Sequence, residues 1–461
     1  MHGKLKPGQH IHLLGIGGFG LSAIARILFK QGYQVSGSDQ NTNPLTDALQ
    51  DLGVKINHGH HPDNIHDADL LIISSAVKPD NPEYIAALNQ NIPIYKRNDI
   101  IAELMHAQQK ICIAGTHGKT TTTSMVAHTL IHAGQQPTYL IGGVMGNTGL
   151  NADVGQGESF IIEADEYDNM FLGLDPDIAI ITSLEYDHPD FFASYDDLFQ
   201  SFTRFVDRIA LDGLLIICID DQGTQDLAAY ARSRNLNVIT YGLNTAADCR
   251  IQDQTHLPGQ SLFYLSYHSQ RLGPITLTIP GLHNILNATA TYLLTDYLNL
   301  SFEHYTQAML GFISTGRRFD IRADLNGFCI VDDYAHHPTA IKYALAAAKQ
   351  FYPEHQLVAI WQPHTYSRTR ELLDDYALAF HDADQVLVTE IYASREQGDN
   401  LFTGAYVADQ IQHPHVQFCP TFQDAFNTLL KLEPPALILI MSAGDASEIG
   451  KTFHNHLLGG S

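Results

Sequence analysis

The segment KICIAGTHGKTTTTSM, residues 110–125, constrains this chain more than any other. An apolar, β-rich run ends in Gly115-Thr116-His117-Gly118, and a helix-forming stretch then opens with Lys119, Thr120 and Thr121. The first N–H groups of such a helix have no partner within it, and they sit at the positive pole of its dipole. A helix end of this kind cradles phosphate. Lys119 adds an ammonium that can reach terminal phosphates, and Thr120 adds a hydroxyl suited to Mg²⁺. The loop is shorter than the common GxxxxGK[ST] form, because Ile113 occupies the place of its first glycine. The segment predicts an α/β nucleotide-binding unit in which residues 115–121 surround ATP.

A hard cation needs further oxygen ligands. The segment IIEADEYD follows one predicted strand and offers Glu163, with Asp165, Glu166 and Asp168 close behind. SLEYDHPD follows another and offers His188. Ligands of open α/β sheets bind beyond the carboxyl ends of the strands, so the three segments point to one crevice. Thr120, Glu163 and His188 are therefore the expected metal residues.

A second glycine-rich turn lies in HIHLLGIGGFGLSAIARIL, with Gly15, Gly17, Gly18 and Gly20 between a strand and a helix. Asp39 ends the next predicted strand. Alone, this is a dinucleotide fingerprint and suggests an NAD-dependent oxidoreductase. That reading leaves the loop at 115–121 unexplained. The same geometry holds any diphosphate, with Asp39 free to bond a ribose or base. Two phosphate-binding turns in one chain suggest ATP together with a nucleotide-linked substrate. His60, Ser74 and Ser75 occupy further loop positions of this unit.

With 461 residues, the chain has room for about three domains. Predicted strands alternate with amphipathic helices almost throughout, the mark of parallel sheets covered by helices. The strands expected are 10–14, 34–38, 70–74, 110–114, 159–162, 178–182, 214–219, 328–331, 357–361, 385–389 and 437–441. Helices are expected at 19–31, 283–298, 339–351, 369–380 and 403–410. Between about 243 and 280 the pattern turns to antiparallel ribbons. The expected domains are residues 1–108, 109–314 and 315–461. Acids outnumber bases, 50 to 26, for a net charge of -24. Such a surface excludes nucleic acid and anionic membrane as partners, so anionic substrates must be caught by local devices. The five cysteines form no CxxC pair, residues 1–9 are polar, and no apolar run nears ~18 residues. A cytoplasmic protein with reduced thiols and no membrane insertion is expected.

Taken in order, GIGGFGLSA, AGTHGKTTTT, IEADEYD, LEYDHPD, GLHNILNATA, GRRFD, VDDYAHHPTAI and WQPHTYSRT resemble the Mur ligases over essentially the whole chain. The resemblance implies a Rossmann-like N-terminal domain for a UDP-sugar, and a central P-loop ATPase-like domain with added antiparallel strands. A Rossmann-like C-terminal domain for an amino acid completes it. It implies that ATP activates the lactyl carboxylate of UDP-N-acetylmuramate as an acyl phosphate, which an amine then attacks, in peptidoglycan precursor synthesis. QPHTYSRT and IYASRE favour L-alanine as the amine, whereas EADEYD is also similar to members that attach a whole murein tripeptide.

Carried over by motif, Lys119, His188, Arg318, Asp333 and His337 are the implied catalytic residues. His283, Asn284, Asn287 and Arg318 would meet ATP. Arg97 and the N-terminal loops would meet the UDP-sugar. His336, His364 and Arg368 would meet the amino acid. Thr365 stands where several relatives carry Arg. No lysine occurs between His188 and Lys342, so no carbamylated lysine is expected at the metal site.

Overall fold

The computed structural model describes residues 3–74, 76–394, 396–399 and 401–459. The first unit is a five-stranded parallel sheet in the order Lys55–His58, Gln34–Asp39, His10–Leu14, Leu70–Ile73, Ile94–Lys96. Its central strand carries Ile11, Leu13 and Leu14, all fully buried, because helices cover both faces of a parallel sheet. Helix Phe19–Lys30 packs on this sheet and also against the central unit. There Asn151 donates to Phe19 O and Ser22 Oγ at 3.0 Å each, and Lys30 pairs with Asp153.

The central sheet has ten strands. Gln109–Ala114 lies between Ile178–Ile181 and Ser159–Glu163, all parallel. The expected ribbons are Cys249–Leu257, Gln260–Tyr267 and Gln270–Leu277, antiparallel at one edge. The third sheet runs Asp320–Leu325, Phe328–Asp333, Ala436–Met441, Gln356–Trp361, Gln385–Thr389, Val416–Cys419. It is parallel except for its first strand. Apolar clusters fill both of its faces. The junction before it is pinned to strand Thr138–Met145: Gly316 N donates to Val144 O at 2.9 Å and Gly146 N to Ser314 O at 3.2 Å.

Several elements differ from expectation. Thr138–Met145 is a largely buried strand concealed in the sequence by Gly142-Gly143. A side chain at 142 would collide with the Glu163 carboxylate, which accepts from Gly142 N at 2.7 Å. The helix expected over 369–380 is two short helices, Tyr366–Glu371 and Leu373–Ala377, broken at Leu372. Lys55–His58, Ile94–Lys96, Leu150–Asp153, Asn237–Gly242, Asp320–Leu325 and Val416–Cys419 are further strands. All but Asn237–Gly242 lie at or beside a sheet edge, where the apolar pattern is weak. Ser75 lies outside the described residues.

Glu83, in helix Pro82–Asn89, is a fully buried acid. Its carboxylate accepts from Ser38 Oγ at 2.6 Å, Asn64 Nδ2 at 2.7 Å and His61 N at 3.1 Å, and lies 3.3 Å from His12 Nε2. His60 joins this cluster through Ser38 Oγ at 3.0 Å. Burial raises the Glu83 carboxyl, but the bonds from His12, Ser38 and Asn64 outweigh it and hold the group below 4.5. A carboxyl depressed on folding contributes stability above its unfolded value and loses it as pH falls through the folded one. Glu83→Ala should therefore cost about 3 kcal/mol at neutral pH. In urea denaturation, the difference from the unaltered protein should shrink once the pH drops below 4.5. An equal deficit at neutral pH and at about pH 3 would contradict this origin.

Candidate active site

Residue-for-residue pairing of Ala114 with Ile181 brings the loops after those two strands together. Thr116 N donates to Ser183 O at 3.1 Å, His117 N to Ser183 Oγ at 2.9 Å and Thr116 Oγ1 to Glu185 O at 3.0 Å. Gly118 has φ +83°, and a side chain there would strike Asn287 Oδ1. Helix Leu282–Tyr297 thus reaches the phosphate loop through its first turns. Helix Lys119–His132 starts directly after Gly118. Lys119 Nζ donates to Gly115 O at 2.7 Å and pairs with Glu166 Oε2 at 2.8 Å. Thr120 Oγ1 donates to Glu163 Oε1 at 3.0 Å.

Charge is concentrated here. Burial raises the Glu163 carboxyl, and Asp165 adds to this against the opposing pull of Lys119. Burial also raises Glu166, but Lys119 and His188 win and hold it ionised. Thr120 and Glu163 present hard oxygens in a site that already disfavours its own negative charge, and that donor set suits Mg²⁺. His188, the third residue expected at the metal, has a polar neighbour at each ring nitrogen. Its Nδ1 faces Arg368 Nη2 at 3.2 Å and its Nε2 lies 3.6 Å from Glu166 Oε1. An Nδ1 that accepts from a guanidinium leaves the proton on Nε2, on the side of Glu166.

These groups open into one cleft of about 650 Å³ whose walls come from all three units. Gly20 and Arg97 enter from the first unit, Arg97 lying 3.5 Å from Asp165 Oδ2. Residues 116–121, Glu163, His188, His283, Asn284 and Asn287 line it from the central unit. Arg318, Asp333, His336, His337, His364 and Arg368 complete it. His283 Nδ1 is buried without a partner among the described residues, and burial followed by the nearby Arg318 charge lowers this ring to about 4. The Arg318 guanidinium lies over the Tyr334 ring at 5.0 Å.

Other expected residues lie elsewhere or are already engaged. Gly15, Gly17, Gly18, Asp39, His60 and Ser74 are outside the wall of this cleft. The Asp39 carboxylate accepts from Gly17 N at 2.9 Å and Asn41 N at 3.2 Å, one bond on each oxygen. Asp333 lines the cleft while accepting from Phe319 N and Ala335 N at 2.7 Å each, one bond on each oxygen. Arg368 is 5% exposed and bound on every side. Its Nε meets Asp187 Oδ1 at 2.6 Å, and its Nη1 meets His364 Nδ1 at 3.2 Å. Arg368 therefore ties the third unit to the central one instead of presenting a free guanidinium. Thr365 and Ser367 satisfy Glu396: Thr365 Oγ1 donates at 2.6 Å and Ser367 N at 3.0 Å.

Asp187, Glu185 and Glu396 escaped the sequence reading. Asp187 and Glu185 sit within three residues of His188 in LEYDHPD, which was the available signal.

Three α/β units closing on a phosphate loop with paired acids define an enzyme that uses a nucleoside triphosphate. The comparisons narrow the class: the chain belongs to the Mur ligase family. Residues 10–109 match its "Mur ligase family, catalytic domain", 113–295 its middle domain and 317–444 its glutamate ligase domain. A UDP-N-acetylmuramate--L-alanine ligase of Geobacter sp. strain M21 is 41% identical over 458 residues, 98% of each chain. The solved UDP-N-acetylmuramate-alanine ligase of Thermotoga maritima superposes with TM-score 0.84 at 28% identity, over 98% of this chain and 99% of that one. A murein peptide ligase of Psychrobacter arcticus gives 0.72 at 26%, over the same shares.

The Arg368–Asp187 pair joins two units in a nearly dry setting. Removing one partner strands the other charge, so Arg368→Ala should cost about 3–5 kcal/mol. Arg368→Ala combined with Asp187→Ala should cost clearly less than the sum of the single changes in a double-mutant cycle read by chemical denaturation. Strict additivity would mean that the pair carries no coupling.

Proposed function

We propose that this chain joins L-alanine to the lactyl carboxylate of UDP-N-acetylmuramate, with ATP converted to ADP and phosphate, in peptidoglycan precursor synthesis. The observation that carries this reading is the full-length likeness to ligases of that name, together with a phosphate loop opening into a cleft shared by three units. The proposed division of labour follows residues 1–108 for the UDP-sugar, 109–314 for ATP and 315–461 for the amino acid.

The chemistry suits the groups present. A carboxylate resists attack by an amine until one of its oxygens takes the γ-phosphoryl group and becomes part of a leaving group. The amine then forms the C–N bond, the acyl C–O bond breaks, and phosphate departs. Two anions must approach each other in the first step, so fixed positive charge is the main requirement. Lys119 supplies it at the phosphate loop, and Arg318 supplies it from the third unit. Thr120, Glu163 and His188 would hold Mg²⁺, directly or through water, and the ion when bound supplies further positive charge to the phosphates. His283, with its unpartnered Nδ1, Asn284 and Asn287 would face the adenine end.

The amino-acid end uses neutral imidazoles. Burial pushes His336 well below 6.5, and burial with the neighbouring Arg368 charge lowers His364 to about 4. His336 Nδ1 donates to Tyr334 O at 2.7 Å, which leaves Nε2 as a lone pair for an ammonium. His364 Nδ1 accepts from Arg368, which leaves Nε2–H as a donor for a carboxylate. Arg368 thus acts as a positioning residue that sets the tautomer of His364.

A second reading, ligation of a whole murein tripeptide, is favoured by the likeness to the Psychrobacter arcticus ligase. The larger structural likeness to the Thermotoga maritima alanine ligase weighs against it. Phosphate release should require UDP-N-acetylmuramate, Mg²⁺ and L-alanine together. Release with tripeptide but not with alanine would overturn the first reading in favour of the second. Lys119→Ala should lower kcat by about a thousandfold, as loss of a main charge stabiliser does. Full turnover in that variant would remove the phosphate loop from the chemistry.

A further inference from the structure

His117 of the phosphate loop forms a cluster with Glu185 and His337; the resemblance implies ATP contact for His117 and catalysis for His337, but gives the three together no task. Its ligand atoms fall within 4.8 Å of one another. His117 Nε2 is 3.0 Å from Glu185 Oε2, and His337 Nδ1 is 3.7 Å from the same oxygen. The two imidazole rings are tilted 49° to each other, with 4.6 Å between centroids. His117 belongs to the phosphate loop, Glu185 to the loop after strand Ile178–Ile181, and His337 caps helix Pro338–Phe351 of the third unit.

Hydrogen bonding fixes what His337 offers. Its Nε2 lies 3.3 Å from Tyr186 O, a carbonyl that can only accept, so Nε2 carries the proton. Nδ1 is therefore a lone pair, and it takes only a long 3.3 Å contact from Thr339 N. That lone pair confronts a carboxylate oxygen across a distance too long for a hydrogen bond and with no proton to share. Two acceptors turned toward each other, with a second imidazole on the same oxygen, form a cation site. An outer N–H held by a backbone carbonyl is also how metal-binding histidines are commonly oriented.

We propose that His117 Nε2, Glu185 and His337 Nδ1 form a binding site for one borderline divalent transition-metal ion, Zn²⁺ in the first instance. Two imidazoles and a carboxylate suit zinc, with a fourth position open to the cleft. Mg²⁺ prefers all-oxygen surroundings and belongs to Thr120 and Glu163 instead. On binding, the proton of His117 moves from Nε2 to Nδ1, so the ring stays neutral and none is released. Bound zinc would tie the phosphate loop to the third unit across the cleft. The proposal is independent of which amine the enzyme uses, because its readout is metal binding.

The test is calorimetric titration of the full chain with Zn²⁺ in excess Mg²⁺, repeated on His337→Asn and Glu185→Gln. Asparagine keeps the helix cap and removes the imidazole. One zinc per chain is expected, with affinity falling by at least about tenfold in each variant, the loss seen even for outer partners of metal sites. Co²⁺ as a substitute should give visible absorption in the unaltered protein that His337→Asn diminishes. Glu163→Gln should keep the zinc affinity. Zinc affinity unchanged in His337→Asn and Glu185→Gln would overturn the proposal. So would zinc binding that is lost in Glu163→Gln but kept in His337→Asn, which would put the ion among the phosphate-loop acids.

Discussion

The register between strands Gln109–Ala114 and Ile178–Ile181 is the constraint on which the site depends. Pairing Ala114 with Ile181 makes the two following loops neighbours, and Thr116, His117, Ser183 and Glu185 then stitch them together. A one-residue slip would turn every side chain of a strand to the opposite face and separate these partners. The shape of the phosphate loop is thus set by the sheet beneath it rather than by its glycines alone. Helix Leu282–Tyr297 seals the arrangement by packing Asn287 over Gly118, where only a glycine leaves room.

Electrostatics follows from that placement. The chain carries a net charge of -24, yet its substrates would be anions. The resolution is local. Lys119, Arg97, Arg318 and Arg368 all reach the cleft, and three of these cations have acids drawn up against them: Glu166, Asp165 and Asp187 respectively for Lys119, Arg97 and Arg368. Buried acids such as Glu166 and Asp187 are costly unless paired, so these pairs hold the cations in place as much as the cations hold the acids. Glu163 is the exception, raised by burial and by Asp165, and its position beside Thr120 fits the demand for a divalent ion.

Much of this was legible in the chain. The strand–loop–helix around Lys119, the carboxylates after strand Ser159–Glu163, and the ribbons after residue 243 all follow local rules of pattern and turn chemistry. Edge strands such as Asp320–Leu325 and Val416–Cys419 were not legible, because half-exposed strands lack a continuous apolar run. Partnerships across units were also invisible. Nothing in QPHTYSRT tells that Arg368 will meet Asp187, since the two lie far apart in sequence and meet only when the third sheet docks. The backbone bonds of Asp39 and Asp333 were equally illegible: an acid at a strand end can bond a ligand, its own backbone or both, and sequence does not distinguish these.

The occupied state of these residues bears on how the enzyme would work. Lys119 and Arg368 each have an acidic partner in this arrangement, so a ligand reaching either must displace an existing contact rather than fill an idle one. The net gain from such an exchange is small for a lone surface contact but larger where the displaced acid finds a new cation. A γ-phosphate reaching Lys119 would compete with Glu166, whose remaining neighbour is His188, itself held by Arg368 of the third unit. The chain Lys119–Glu166–His188–Arg368 therefore runs from the phosphate loop to the segment expected to hold the amino acid. Filling one end alters the electrostatic demand at the other. That coupling gives a physical reason for one cleft to be built from three units, because activation of the carboxylate is useful only when the amine is in place.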